Sequence, residues 1–275
     1  MDLDLRKLRY FAAVADLGHF GRAAEQLYIA QPVLSRQIRA LETEMGCDLF
    51  LRTTRSVELT AAGRQLRHEA SIILGTVDAA TRRVLEVDRG IARLVIGFAP
   101  GLHVSEAVRQ FSDSHPAVEI EMLHLKWWEQ DAPLRDGRVH VGFLRRPFDD
   151  TGLRVIPIGE EAKVVCLPAT HPLALQETVS SQDLVGEPIL DALARKTSSV
   201  EEKFELVASG HGIALVPVSV ARSYQRLDLV YRPWSDGAPV ETCLAILGDQ
   251  RDAGALEFMT IAAESLRETA TRPAQ

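Results

Sequence analysis

The chain has 275 residues, 46% hydrophobic and 25% charged, which is enough for two domains with their own cores. It holds no run of about 18 apolar residues, and its start, Met1-Asp2-Leu3-Asp4, is acidic, so the expectation is a cytoplasmic protein with neither membrane span nor secretory leader. A net charge of −7 argues against a generally basic nucleic-acid binder. The charge is uneven, however: residues 1–64 hold nine Lys/Arg against eight Asp/Glu, and the remainder holds 22 against 30.

Leu5, Leu8, Phe11, Ala12 and Ala15 predict a first helix that Gly18 ends, and Ala23, Ala24 and Leu27 supply the small apolar face of a second. A third follows from Leu34, Ile38 and Leu41, which fall on one stripe at about 100° per residue. Pro32 suits its first position, whereas Ala30 is a poor cap. Three helices in about 40 residues predict a helix-turn-helix. The far side of the third carries Ser35, Arg36 and Arg39, with no acid between Gln31 and Leu41, a face suited to phosphates and base edges in a major groove.

Beyond Gly46, the segment Leu49–Leu59 predicts a small hairpin with its tip at Thr53–Ser56, a wing whose Arg52 and Arg55 would approach a neighbouring minor groove. Thr60 then caps a long helix in which Leu66, Ala70, Ile73, Val77, Ala80, Val84 and Val87 repeat in alternating steps of four and three. That stripe calls for a partner helix, and a rod on the order of 40 Å suits a dimer reading two half-sites.

From about Ile91 strands and helices alternate. Strands are predicted at Ala92–Phe98, Val118–Leu125, Val139–Leu144, Ala162–Leu167, Ile213–Val216 and Val240–Leu247, and helices at His103–Ser114, Trp128–Asp136 and Asp252–Thr269. This alternation predicts right-handed crossovers and a mostly parallel sheet. Cys47, Cys166 and Cys243 are far apart with no CxxC pair, and the eight histidines form no motif, so no metal site or other cofactor is expected. No nucleophile, phosphate-cradling glycine loop or paired acid motif marks an enzyme.

Taken together, Leu8, Phe11, Ala23, Ala24, Leu27, Gln31, Pro32, Ser35, Ile38, Leu41, Glu42, Gly46, Leu49, Phe50, Arg52, Arg55, Leu59, Thr60 and Gly63 make the first 63 residues resemble the winged helix-turn-helix of LysR-type transcriptional regulators. Gly21 departs from the Ser or Thr common there, which touches capping. The run Val207–Pro217 is similar to the family's helix-Gly-strand segment, and the body resembles its effector domain, two α/β subdomains of periplasmic-binding-protein type. The resemblance implies DNA contacts from Gln31, Pro32, Ser35, Arg36 and Arg55, to which the helical face adds Arg39 and the wing Arg52. It also implies a winged head at 1–60, a linker helix at 61–90 and an effector domain at 91–275. The family's peroxide sensors use a cysteine pair in the second part of the effector domain, and residues 167–242 contain no Cys, so structural thiols are expected.

One departure is large. Between Pro188–Asp191 and Thr197–Val200, relatives usually carry a helix and a strand, roughly 25 to 30 residues that this chain lacks, so its second subdomain must lose a strand or cover a new edge. Ligands of open α/β sheets sit beyond strand carboxyl ends, which nominates Pro100, Gly101 and Leu102, Arg145 as charge partner, and Thr197, Ser198 and Ser199 before a helix. The expected partners are double-stranded promoter DNA, a second copy in a homodimer or homotetramer, a small anionic effector and RNA polymerase, with no membrane. Two alternatives stay open: an effector-independent repressor or autoregulator with a degenerate cleft, and a small-molecule receptor that binds no DNA.

Overall fold

A computed structural model describes residues 3–52, 57–89, 92–190 and 199–271. The chain divides into a unit running to Leu85 and a unit beginning at Glu86, with the Arg135–Arg138 turn grouped with the first.

The first unit opens with α1 (Leu5–Leu17), which Asp4 caps by accepting from Arg6 N at 2.7 Å and Gly18 ends at φ +60°. The next helix, α2 (Phe20–Gln26), has no Ser or Thr to cap it; the His19 Nδ1 accepts from Gly21 N at 3.0 Å and Arg22 N at 3.3 Å instead. Helix α3 (Gln31–Met45) starts at Gln31 without a side-chain cap, as Ala30 predicts, with Pro32 in its second position rather than the expected first, and ends at Gly46 with φ +69°. Leu8, Phe11, Leu34, Ile38, Leu41 and Leu49 are fully buried in one core. Truncating a phenylalanine such as Phe11 in such a core costs about 3–5 kcal/mol.

Strands β1 (Phe50–Arg52) and β2 (Val57–Leu59) pair antiparallel as the expected wing, whose tip lies outside the described residues. Buried Glu42 accepts from Leu49 N and Phe50 N at 3.1 and 3.2 Å, fixing the wing to the end of α3. Thr60 caps α4 (Ala61–Arg89) through Gly63 N at 2.9 Å. Gly63 is obligatory, because a Cβ there would lie 2.0 Å from the Leu49 carbonyl oxygen. The expected heptad divides along α4. Leu66 and Ala70 belong to the head's own core and Ile73 packs against it, whereas Ala80 is exposed and Val84 is 69% exposed. Arg67–Asp16 and Arg9–Asp78 ion pairs hold α4 along α1.

The second unit contains two subdomains. Its larger sheet, built from β3 (Ala92–Phe98), β4 (Val118–His124), β5 (Val141–Arg145), β6 (Leu153–Glu161) and β10 (Val240–Leu247), has the order β4-β3-β5-β10-β6. Helices α5 (Ser105–Ser114) and α9 (Ala253–Thr271) cover one face, where Phe111, Phe143 and Phe258 are buried together. The expectation of a mostly parallel sheet is corrected here: β3 runs parallel to β4 and β5, but β10 is antiparallel to both β5 and β6. The chain leaves this subdomain after β6 and returns through β10, so the returning strand inserts against the direction of its neighbours. The predicted helix at Trp128–Asp136 is also corrected to the single turn α6 (Ala132–Arg135). Its first residues are diverted because Gln130 Nε2 donates to the Trp127 and Arg145 carbonyls, each at 3.0 Å, while its Oε1 accepts from Arg145 N at 2.8 Å.

The smaller subdomain has β7 (Lys163–Pro168) between β8 (Ala214–Pro217) and β9 (Leu229–Pro233), all antiparallel. Helices α7 (Val200–Ala208) and α8 (Val218–Ser223) close one face over Cys166 and Phe204. Just before β8 the backbone pairs with residues 188–190: Ile213 N donates to the Pro188 carbonyl and Leu190 N to the Ile213 carbonyl, both at 2.9 Å.

Candidate nucleic-acid interface and ligand cavity

Burial of Leu34, Ile38 and Leu41 turns the opposite side of α3 outward, leaving Gln31, Pro32, Arg36 and Arg39 exposed and Ser35 half-buried. Three cations of the head are neutralised, in Lys7–Glu44, Arg9–Asp78 and Arg67–Asp16, but Arg36 and Arg39 join no ion pair among the described residues. Arg52 ends β1, its side chain outside the described residues together with Arg55. Tyr28, not anticipated from sequence, holds φ +53° in the turn before α3 with its ring 95% exposed. No glycine or asparagine marks that turn in the sequence.

The second unit has an open cavity of about 540 Å³ beside the carboxyl ends of β3 and β5. Of the residues nominated from sequence, Pro100 and Arg145 line it. Gly101 does not; at φ +78° it packs on the start of α8, where a Cβ would stand 2.7 Å from Val220 N. Leu102 joins the core beneath the sheet. Ser199 caps α7, accepting from Glu202 N at 3.1 Å, and borders a side pocket of about 70 Å³. Thr197 and Ser198 lie outside the described residues.

Arg145 is not available as a charge partner for a ligand. Its Nε donates to Glu161 Oε1 at 2.9 Å, one terminal nitrogen to the Pro100 carbonyl at 2.5 Å and the other to Ser219 Oγ at 2.6 Å, and Ser219 donates in turn to Glu161. Burial draws its guanidinium below the ordinary arginine value and Glu161 opposes that shift. The side chain is therefore a cross-link between the larger sheet and α8. Sequence reasoning missed Trp127, Trp128, Lys163, Lys203 and Trp234, which the crossovers gather into the cavity wall. Trp127 and Trp128 meet edge to face at 5.4 Å and 84°, and the buried Lys203 ammonium sits 4.3 Å from the Trp127 ring centroid.

Among the described residues, no group of three or more His, Cys, Asp or Glu could hold a metal, and no helix is long and apolar enough to cross a membrane. Cys47 is exposed and Cys166 and Cys243 are buried, all three as free thiols.

Comparison with known proteins accounts for both units. Residues 5–64 match the family model "Bacterial regulatory helix-turn-helix protein, lysR family", and residues 88–193 match "LysR substrate binding domain". The chain is 37% identical over 251 residues to the uncharacterized HTH-type transcriptional regulator YnfL of Escherichia coli K12, covering 81% of this chain and 84% of that protein. It is 32% identical over 266 residues to the HTH-type transcriptional regulator BenM of Acinetobacter baylyi, covering 85% and 86%. The crystal structure of full-length BenM superposes with a TM-score of 0.54 at 28% identity, covering 99% of this chain and all of that one. These relatives are transcriptional regulators rather than enzymes, and the chain belongs to the LysR family of DNA-binding transcriptional regulators.

Proposed function

We propose that this regulator acts in the cytoplasm as a homodimer or homotetramer, reading a partly palindromic promoter site with Gln31, Pro32, Ser35, Arg36 and Arg39 of α3 and with Arg52 and Arg55 of the wing. The division is a head at 1–60, a dimerising helix at 61–90 and an effector domain at 91–275. The helix pairs through the outer part of its stripe, Val77, Ala80, Val84 and Val87, while Leu66, Ala70 and Ile73 brace the head. A small molecule in the cavity changes the spacing or bend imposed by the two heads, and RNA polymerase reads the result. The observation that carries this reading is α3 itself, whose apolar stripe is buried and whose two arginines are exposed without ion pairs among the described residues.

Footprinting on the DNA upstream of the protein's own gene and its divergent neighbour, at two salt concentrations, tests it. The expected result is a roughly symmetric protected site whose affinity falls steeply with salt. Absence of protection at low salt would overturn the reading. The shortened second subdomain favours one competitor, a repressor that answers to no ligand; footprints and transcription indifferent to every ligand that binds the cavity would establish that instead.

A further inference from the structure

Tyr28 stands at a backbone position that suits glycine. Helix α2 ends in a Schellman motif, in which Ile29 N donates to the Ala24 carbonyl at 3.0 Å and Tyr28 N to the Glu25 carbonyl at 3.1 Å. Tyr28 takes the left-handed place in that motif, with φ +53°, and among the described residues it is the only non-glycine residue at positive φ. A Cβ crowds the backbone there, which is why glycine is usual.

The side chain does nothing for the fold in return. The apolar contact that accompanies the motif comes from Ile29, which packs with Ala24 on the core of the head. The Tyr28 side chain is 95% exposed, and neither its hydroxyl nor its ring has a partner among the described residues. A large aromatic side chain that strains its backbone and touches nothing lowers the stability of the isolated head, so its use lies in a complex.

The turn points to which complex. Only Ile29 and Ala30 separate Tyr28 from α3, and Ala30, Gln31 and Pro32 follow as an exposed run. Two backbone hydrogen bonds hold the turn, and tyrosine has two side-chain torsions, so little freedom is lost when the phenol meets a partner. Tyrosine hydroxyls are among the neutral groups that contact phosphate oxygens. Tyr28 precedes the helix rather than lying on its outward face with Arg36 and Arg39, which suits the rim of a groove better than its floor.

We propose that Tyr28 is a DNA contact, its hydroxyl donating to a backbone phosphate at the edge of the major groove that α3 enters and its ring lying against the adjoining sugar. This rests on the reading of α3 given above and adds a neutral contact to its arginines. A neutral donor releases no condensed counterion, so it adds affinity without adding salt dependence.

Binding of the full-length chain to duplex from upstream of its own gene tests this with two variants. Tyr28→Phe keeps the ring and the backbone and removes the donor; Tyr28→Gly removes the side chain and relieves the backbone. Tyr28→Phe should weaken binding by about three- to tenfold per half-site, the range for one hydrogen bond, on cognate and unrelated duplexes alike and with the parental salt slope. Tyr28→Gly should bind at least as weakly as Tyr28→Phe and yet melt at a higher temperature than the parent, and these opposite signs separate a lost contact from a damaged fold. Parental affinity in Tyr28→Phe would overturn the phosphate contact, as would a loss confined to one base-pair identity. A lower melting temperature in Tyr28→Gly would show that the side chain serves the fold. Parental affinity with reduced transcription would assign Tyr28 to RNA polymerase and overturn the proposal. If the parent protects its site and both variants match it, this inference alone falls; if the parent protects none, the regulator reading falls with it.

Discussion

Arg145 shows how one side chain can be mistaken for a binding residue when it is part of the frame. Its guanidinium reaches three partners on β6, on the loop after β3 and on α8, in directions that no other side chain reproduces. Arg145→Leu would strand the Glu161 carboxylate, whose side chain is only 14% exposed, and should lower stability by about 3–5 kcal/mol, read from urea unfolding against the parent chain. A variant of parental stability would show the cross-link to be dispensable. The thiols give a second test at this scale. Burial pushes Cys166 up to about 12 and Cys243 up to about 11, from an ordinary 9.0, so the folded chain keeps both protons where an unfolded chain would release them. Their contribution to stability is therefore complete below about pH 9 and lost as pH rises through 11 to 12. At pH 8 a thiol-reactive chromophore should label one cysteine quickly, the exposed Cys47, and all three after unfolding in guanidinium. Fast labelling of two or three in the folded chain would contradict the burial.

At the scale of elements, α4 has two jobs along one stripe. Its first two heptad positions are already occupied by the head, so a charge at Ile73 would injure the head as well as any dimer. Val84, 69% exposed in the single chain, isolates the second job: Val84→Asp should leave melting of the head unchanged and shift sedimentation from dimer or tetramer toward monomer. An assembly unchanged by that charge would place the dimer contact elsewhere. The elements that could be read from sequence are those whose signals are local: the stripe of α3, the glycine stops at Gly18 and Gly46, the Thr60 cap. Strand β6 could not, because Pro157 and Gly159 interrupt its alternation, and what holds it is β10, distant in the chain, with Cys243 opposite Pro157; as an edge strand it tolerates the missing N–H of Pro157. The cavity was half legible for the same reason. The strand-end rule reaches Pro100 and Arg145, but Trp127, Lys163, Lys203 and Trp234 come together only through the crossing between sheets, which no local pattern records.

For the whole molecule, the question is how a chain of net charge −7 holds DNA. Beyond residue 64 there are 22 basic against 30 acidic residues, so the body repels a duplex and attraction must come from the heads. If Arg39, Arg52 and Arg55 of each head meet phosphates, a dimer neutralises about six, and log K should fall against log salt with a slope of about −5. Arg52→Ala should reduce that slope by about 2, one contact per head, and weaken all sequences alike. Arg36→Ala should behave differently if it reads a base: about 1–3 kcal/mol lost per half-site on the cognate sequence, relaxed preference at one position, and a nearly unchanged slope. Val84→Asp connects the scales, since a monomer carries half the contacts and should show about half the parental slope. A parental slope that survives monomerisation would mean that a single head supplies the phosphate contacts, and the two-headed arrangement would have to be abandoned.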